Sequence, residues 1–147
     1  MSQIHLLPFF LRVPSWTGKG FLTLEPMGSQ APLKIEWQIT ADTKETINCI
    51  QMVYLAQEKE PMKNYLRFSH FDGSHFSVHL ESEAIGSVIG KGTYDENVMA
   101  WELRSHNQFD GFESYRTTEN GCEMHAEYIS NDFVRTVIEG KLVTSGA

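Results

Sequence analysis

The sequence predicts an all-β fold, a single antiparallel up-and-down β-barrel of about 8–10 strands behind a short N-terminal helical segment. Three observations carry this. Leu33-Lys34-Ile35-Glu36-Trp37-Gln38-Ile39-Thr40-Ala41-Asp42 alternates apolar and polar residues without exception, which makes a strand with one dry and one wet face. Such strands belong to antiparallel sheets rather than to doubly covered parallel ones. Turn signals recur at short intervals, at Pro26-Met27-Gly28, Asp42-Thr43-Lys44, Asp72-Gly73, Asp95-Glu96-Asn97, Asn120-Gly121 and Asn131-Asp132. Finally, no long amphipathic helix pattern follows residue 14.

Residues 3–13 hold the apolar run Ile4–Leu11 and predict one or two helical turns, with Pro8 limiting their regularity. No basic residue precedes the run, so it does not read as a secretory signal, and it is too short to span a bilayer. Strands are then expected at 16–25, 33–42, 46–56, 63–70, 75–82, 85–94, 98–105, 112–119, 122–130 and 133–143. Asp-Gly and Asn-Gly accept the positive φ angles of two-residue hairpin turns. Gln57-Glu58-Lys59-Glu60-Pro61 reads as a charged loop, since Pro61 interrupts a ladder. Closing the meander into a barrel removes its edges, whereas a sandwich needs longer crossovers. No linker, repeat or low-complexity segment divides the chain, so residues 1–147 are expected to form one domain.

Composition narrows the function. The 147 residues carry 19 acidic and 12 basic side chains, a net charge of −7. That balance counts against a nucleic-acid binder, which needs clustered Lys and Arg. Cys49 and Cys122 stand alone and read as reduced core thiols. A cytoplasmic location is the expectation.

Hairpin arithmetic assigns the faces. A two-residue turn at Asp72-Gly73 sets Arg67 opposite Val78 and Tyr65 opposite Leu80. The row Phe76, Val78 and Leu80 faces inward and carries Tyr65 and Arg67 with it. The Asn120-Gly121 turn places Cys122, Met124, Ala126 and Tyr128 on one face with Tyr115 and Thr117. A two-residue turn at Asn131-Asp132 sets Tyr128 opposite Arg135, bringing Arg135 inward. The expected ligand-lining set is therefore Trp37, Tyr65, Arg67, Tyr115, Met124, Tyr128 and Arg135, with Val78 beside them. Apolar walls with a few convergent polar groups make a small-molecule pocket. A one-residue slip turns the arginines outward, and an arginine at a barrel mouth snorkels to water.

Trp16-Thr17-Gly18-Lys19-Gly20, entering the first strand, resembles the G-x-W-x-G-x-G opening of calycin-like barrels, with Pro14 in place of the first glycine. Met124-His125-Ala126-Glu127-Tyr128 through Ile138-Glu139-Gly140-Lys141-Leu142 is similar to their last hairpin. The group includes lipocalins, fatty-acid-binding proteins and nitrobindin-type haem barrels. The resemblance implies a tryptophan plugging the barrel end and a small hydrophobic or amphipathic ligand inside. In the fatty-acid binders an Arg and a Tyr on neighbouring strands hold a carboxylate, a part that Arg135 with Tyr128, or Arg67 with Tyr65, would play here. The nitrobindin-type haem ligand is a histidine near the C-terminus, and none follows His125, so that assignment fails by position.

Other motifs carry less. Gly86-Ser87-Val88-Ile89-Gly90-Lys91-Gly92-Thr93 lacks the spacing of a phosphate loop. His70 and His75 would face each other across a hairpin, but two ligands leave a zinc site incomplete. No cofactor motif is found. Glu102 and Glu113 have His106 and His125 as conceivable partners, with no spacing that fixes a catalytic geometry. Strand 46–56 is apolar on both faces, with Ile47, Val53 and Leu55 on one and Ile50, Met52 and Tyr54 on the other. This suggests either a homodimer contact or cover by Ile4–Leu11. The expected function is binding of a small hydrophobic or amphipathic ligand, a carboxylate-bearing one included. The alternatives are an assembly module with a filled barrel, or an enzyme on the same scaffold.

Overall fold

The computed structural model describes residues 7–25, 27–43, 45–56, 59–82, 86–104, 109–130 and 134–144. A helix of one turn, α1 (Phe9–Arg12), leads into ten strands: β1 (Ser15–Glu25), β2 (Ser29–Asp42), β3 (Thr46–Leu55), β4 (Met62–Ser69), β5 (His75–Ser82), β6 (Gly86–Tyr94), β7 (Val98–Arg104), β8 (Phe109–Thr118), β9 (Gly121–Ser130) and β10 (Arg135–Thr144). Each strand pairs antiparallel with its sequence neighbour, and β10 closes on β1. The expected up-and-down barrel is thus formed, with ten strands. No described helix is long and apolar enough to cross a membrane.

Period-two patterning decides which side chains enter. β2 sends Leu33, Ile35 and Trp37 inward, and β5 sends Phe76, Val78 and Leu80, all buried. The ends of the barrel differ. At the end that receives α1, Phe10 stacks on Trp16 with centroids 5.3 Å apart and meets Tyr115 at 4.6 Å. The Trp16 indole N–H donates to the Phe10 carbonyl at 2.9 Å, which ties the helix to the first strand. Residues 7–11 of the apolar run therefore plug the barrel end rather than cover the outer row of β3. Ile50, Met52 and Tyr54 of that row are half-buried on the outer wall.

Gly18 and Gly20 let β1 cross β10 closely. A Cβ at either would lie 1.9–2.0 Å from a β10 carbonyl oxygen, so no larger residue fits.

Three hairpins depart from the expected registers. Residues 70–74 make a five-residue connection: Asp72 Oδ1 accepts from the Ser74 and His75 amides at 3.0 and 2.6 Å, and Gly73 takes φ 101°. Arg67 then pairs with His79 and Leu66 with Leu80, one residue off the expected ladder. The slip buries Leu66 and Phe68 and turns Tyr65 and Arg67 outward. Burying an unpaired guanidinium is far costlier than burying Phe68, so the apolar row takes the inside. His70, at φ 59°, stays in the turn and His75 pairs with Thr93, so the two histidines are not opposed. At β9–β10, Arg135 pairs with Ile129 and Thr136 with Tyr128, which turns Arg135 outward. The expected turn at Asn131-Asp132 lies outside the described residues. At β8–β9 the flanking pair is Thr118 and Gly121, a shift of two residues that leaves the assigned faces unchanged.

Candidate functional site

Inward-facing residues divide along the barrel axis. Towards the α1 end the interior is filled by rings: Trp37, Phe68, Trp101 and Tyr115 are at most 3% exposed. Towards the opposite end the inward positions Leu22, Leu24, Leu55, Tyr128, Thr136 and Ile138 are only half-buried. Solvent therefore reaches part of the inner wall there, although Leu22, Leu55, Tyr128 and Ile138 pack against the core and Leu80, Val88, Leu103 and Ala126 in the same half are buried.

A polar cluster sits between the two zones. Glu113 on β8 is 2% exposed. Its Oε1 accepts from the Tyr115 hydroxyl at 2.7 Å and from Gln51 Nε2 at 3.4 Å, while its Oε2 accepts from the Tyr128 hydroxyl. Gln51 also donates to the Tyr115 oxygen at 3.0 Å, and Asn64 Nδ2 donates to Gln51 Oε1 at 2.8 Å. Strands β3, β4, β8 and β9 thus each contribute to one network. Gly111 makes it possible, because it pairs with Tyr128 and a Cβ there would meet the ring at 2.2 Å. The glycine lets the Tyr128 ring lie across β8 and carry its hydroxyl to Glu113.

The electrostatics follow from burial. Desolvation pushes the Glu113 carboxyl above its ordinary range, against the lowering effect of hydrogen bonds from Tyr128, Tyr115 and Gln51. Tyr115 and Tyr128 are pushed well above theirs, first by burial and then by the neighbouring Glu113 charge. Every described Lys and Arg is exposed, and none of them pairs with this carboxyl. Buried side-chain atoms without a hydrogen-bond partner among the described residues include Asn64 Oδ1 and the indole nitrogens of Trp37 and Trp101.

Of the residues expected to line the ligand site, Trp37, Tyr115, Met124 and Tyr128 face inward, as does Val78. Tyr65, Arg67 and Arg135 do not, which corrects their expected orientation. Tyr65 is 49% exposed on the outer wall. Arg67 is 3.1 Å from His79 Nδ1, and Arg135 is held by Glu127 and, at 3.2 Å, by Glu25. Neither proposed Arg–Tyr clamp is assembled inside. The sequence offers His106 and His125 as conceivable partners of Glu113. His125 is on the outer wall beside Glu127 and Glu139, and His106 lies outside the described residues. The missed signal was parity: Glu113 lies two residues before the inward Tyr115, and Gln51 lies between the inward Ile47 and Val53.

The outer wall carries an open groove of about 1190 Å³ across β1, β10, β9 and β8, where Lys19, Phe21, Arg116, Lys141 and Val143 line it.

No family model and no curated protein matches this chain. Among solved structures, Rv2717c from M. tuberculosis superposes with a TM-score of 0.69 at 13% identity, over 90% of this chain and 93% of that one. A redesigned beta barrel aligns over 85% of this chain and 87% of its own, at 10% identity and a TM-score of 0.43. The likeness to Rv2717c is one of fold.

Proposed function

We propose that the protein binds one small hydrophobic or amphipathic molecule in the chamber opposite α1, as calycin-like barrels do. The observation that supports this is the change in exposure along one set of inward-facing positions, from buried rings at the α1 end to partly exposed Leu22, Leu24, Leu55 and Ile138 at the other. Apolar side chains that face inward yet stay wet gain free energy when a ligand covers them, about 25 cal/mol per Å². The polar group of the ligand meets the Glu113–Tyr128 cluster. With Arg67 and Arg135 outside, the carboxylate clamp is no part of this reading.

Uptake of the neutral apolar fluorophore N-phenyl-1-naphthylamine tests it, with stoichiometry read by native mass spectrometry. One molecule per chain is expected. Ile138→Trp fills the chamber and should weaken uptake by about ten-fold or more. Val143→Trp, in the outer groove, should leave uptake unchanged. No uptake, or uptake weakened by Val143→Trp instead, overturns the reading.

A further inference from the structure

Resting on the chamber reading, we infer that the ligand's polar end is a positively charged hydrogen-bond donor: an amphiphilic amine rather than a carboxylate.

The direction of the hydrogen bonds carries this. Tyr115 and Tyr128 each own one O–H, and both spend it on Glu113. The Gln51 amide donates towards Glu113 and Tyr115, which leaves its carbonyl to accept from Asn64. Asn64 Oδ1 is then left, on a residue 8% exposed, with no donor among the described residues. Turning the Asn64 amide over sets carbonyl against carbonyl at Gln51 and gains nothing. Oε2 of Glu113 accepts from Tyr128 alone among the described residues, although a carboxylate oxygen takes two donors. What the cluster still offers is acceptors.

Charge points the same way. A buried carboxylate needs a cation or complete hydrogen bonding, and the described lysines and arginines all face water. An ammonium supplies both the missing charge and up to three donors. A carboxylate ligand would bring acceptors to acceptors and a second negative charge to Glu113. The two indole N–H groups without partners belong to Trp37 and Trp101, which pack in the ring-filled half at 6.4 Å from each other, below the chamber.

The groups facing Glu113 are few. Tyr115 is on its own strand, Tyr128 on β9 and Gln51 on β3, with Asn64 behind Gln51 on β4. The described inward side chains of β2, β7 and β10 hold no titratable group. Cys122, inward on β9 towards the α1 end, has its thiol pushed up to about 12 by burial and stays neutral. Cys49 on β3 and Tyr94 on β6 also face inward, and Glu113 is the one carboxyl among the described inward side chains.

Isothermal titration with octylamine, octanol and octanoate tests the inference, in salt that screens the −7 surface. The expected result is one octylamine per chain, bound about ten-fold or more tightly than octanol and octanoate. Glu113→Gln should erase the amine preference and leave octanol within about two-fold. In the unmodified protein, octylamine affinity should fall about ten-fold from pH 8 to pH 4, where octanol is unaffected. That measurement decides the matter should Glu113→Gln not fold. Octanol or octanoate binding most tightly, a preference kept in Glu113→Gln, or a flat pH profile overturns the inference and leaves the chamber reading standing. Failure of all three compounds to bind removes both.

Discussion

The two halves of this barrel share ten strands and one patterning rule, yet one is filled with buried rings and the other is only partly buried. In the α1 half, Trp101 stacks on Tyr115 at 5.3 Å, Phe68 meets Trp101 edge-on at 5.3 Å, and Phe10 closes the end. Each such pair adds about 0.5–1.5 kcal/mol beyond its buried area. In the other half Leu80, Leu103 and Ala126 are buried, but Leu22, Leu24, Leu55, Tyr128, Thr136 and Ile138 are only half-buried. Ten strands enclose more width than aliphatic side chains can span. Large rings, together with a helical plug, fill one half, whereas smaller aliphatic side chains leave the inner wall of the other partly exposed. The buried ring packing thus resides in one half, and the proposed binding site in the other.

The largest effect should come from emptying the ring-filled half. Phe68→Ala removes a fully buried ring and should cost about 3–5 kcal/mol, read as a lower urea midpoint. A loss under about 1 kcal/mol would mean that this half is not the stabilising one. Gly111→Ala strikes the boundary between the halves. Its methyl group displaces the Tyr128 ring from Glu113, and about 2 kcal/mol should be lost through overpacking. Unchanged stability there would show that the ring does not need the glycine.

A third measurement sharpens the contrast through pH. Glu113 holds its proton more tightly folded than unfolded, so its contribution is fully present below about 4.5 and is lost as pH rises through the raised folded value. The unmodified protein should lose stability over that limb, and Glu113→Gln should lose less. Asp72 and Glu123 have carboxyls held below their ordinary range, Asp72 mainly by the Ser74 and His75 amides and Glu123 by Arg116, and act in the opposite sense. The difference between the two proteins isolates Glu113, and parallel profiles would remove its special place. The smallest effect belongs to the partly exposed half. Leu24→Ala is expected to cost under about 1 kcal/mol, because its side chain is only half-buried.

Much of this architecture was legible in residue patterning. The alternation in 33–42, the spacing of turn residues and the Trp16-Thr17-Gly18-Lys19-Gly20 opening are local signals, and they led to about 8–10 strands, most of them within three residues of the observed boundaries. The inward faces of β8 and β9 were legible as well, since a register shift of two residues preserves parity. Where the shift was one residue, at β4–β5 and β9–β10, parity reversed and carried Tyr65, Arg67 and Arg135 to the outer wall.

The sequence by itself therefore determined most strands and an up-and-down barrel of about 8–10 of them, because side chains alternate with period two within one strand. The tertiary structure decided the phase between strands and the filling along the axis. Phase depends on loop geometry, such as the Asp72 side chain bonding its own turn, and on which row the core accepts. The polar cluster depends on Gln51 meeting Glu113 and Tyr115 across 62 and 64 residues of chain. Such a meeting is created when the barrel closes, which is why no spacing along the chain announced it.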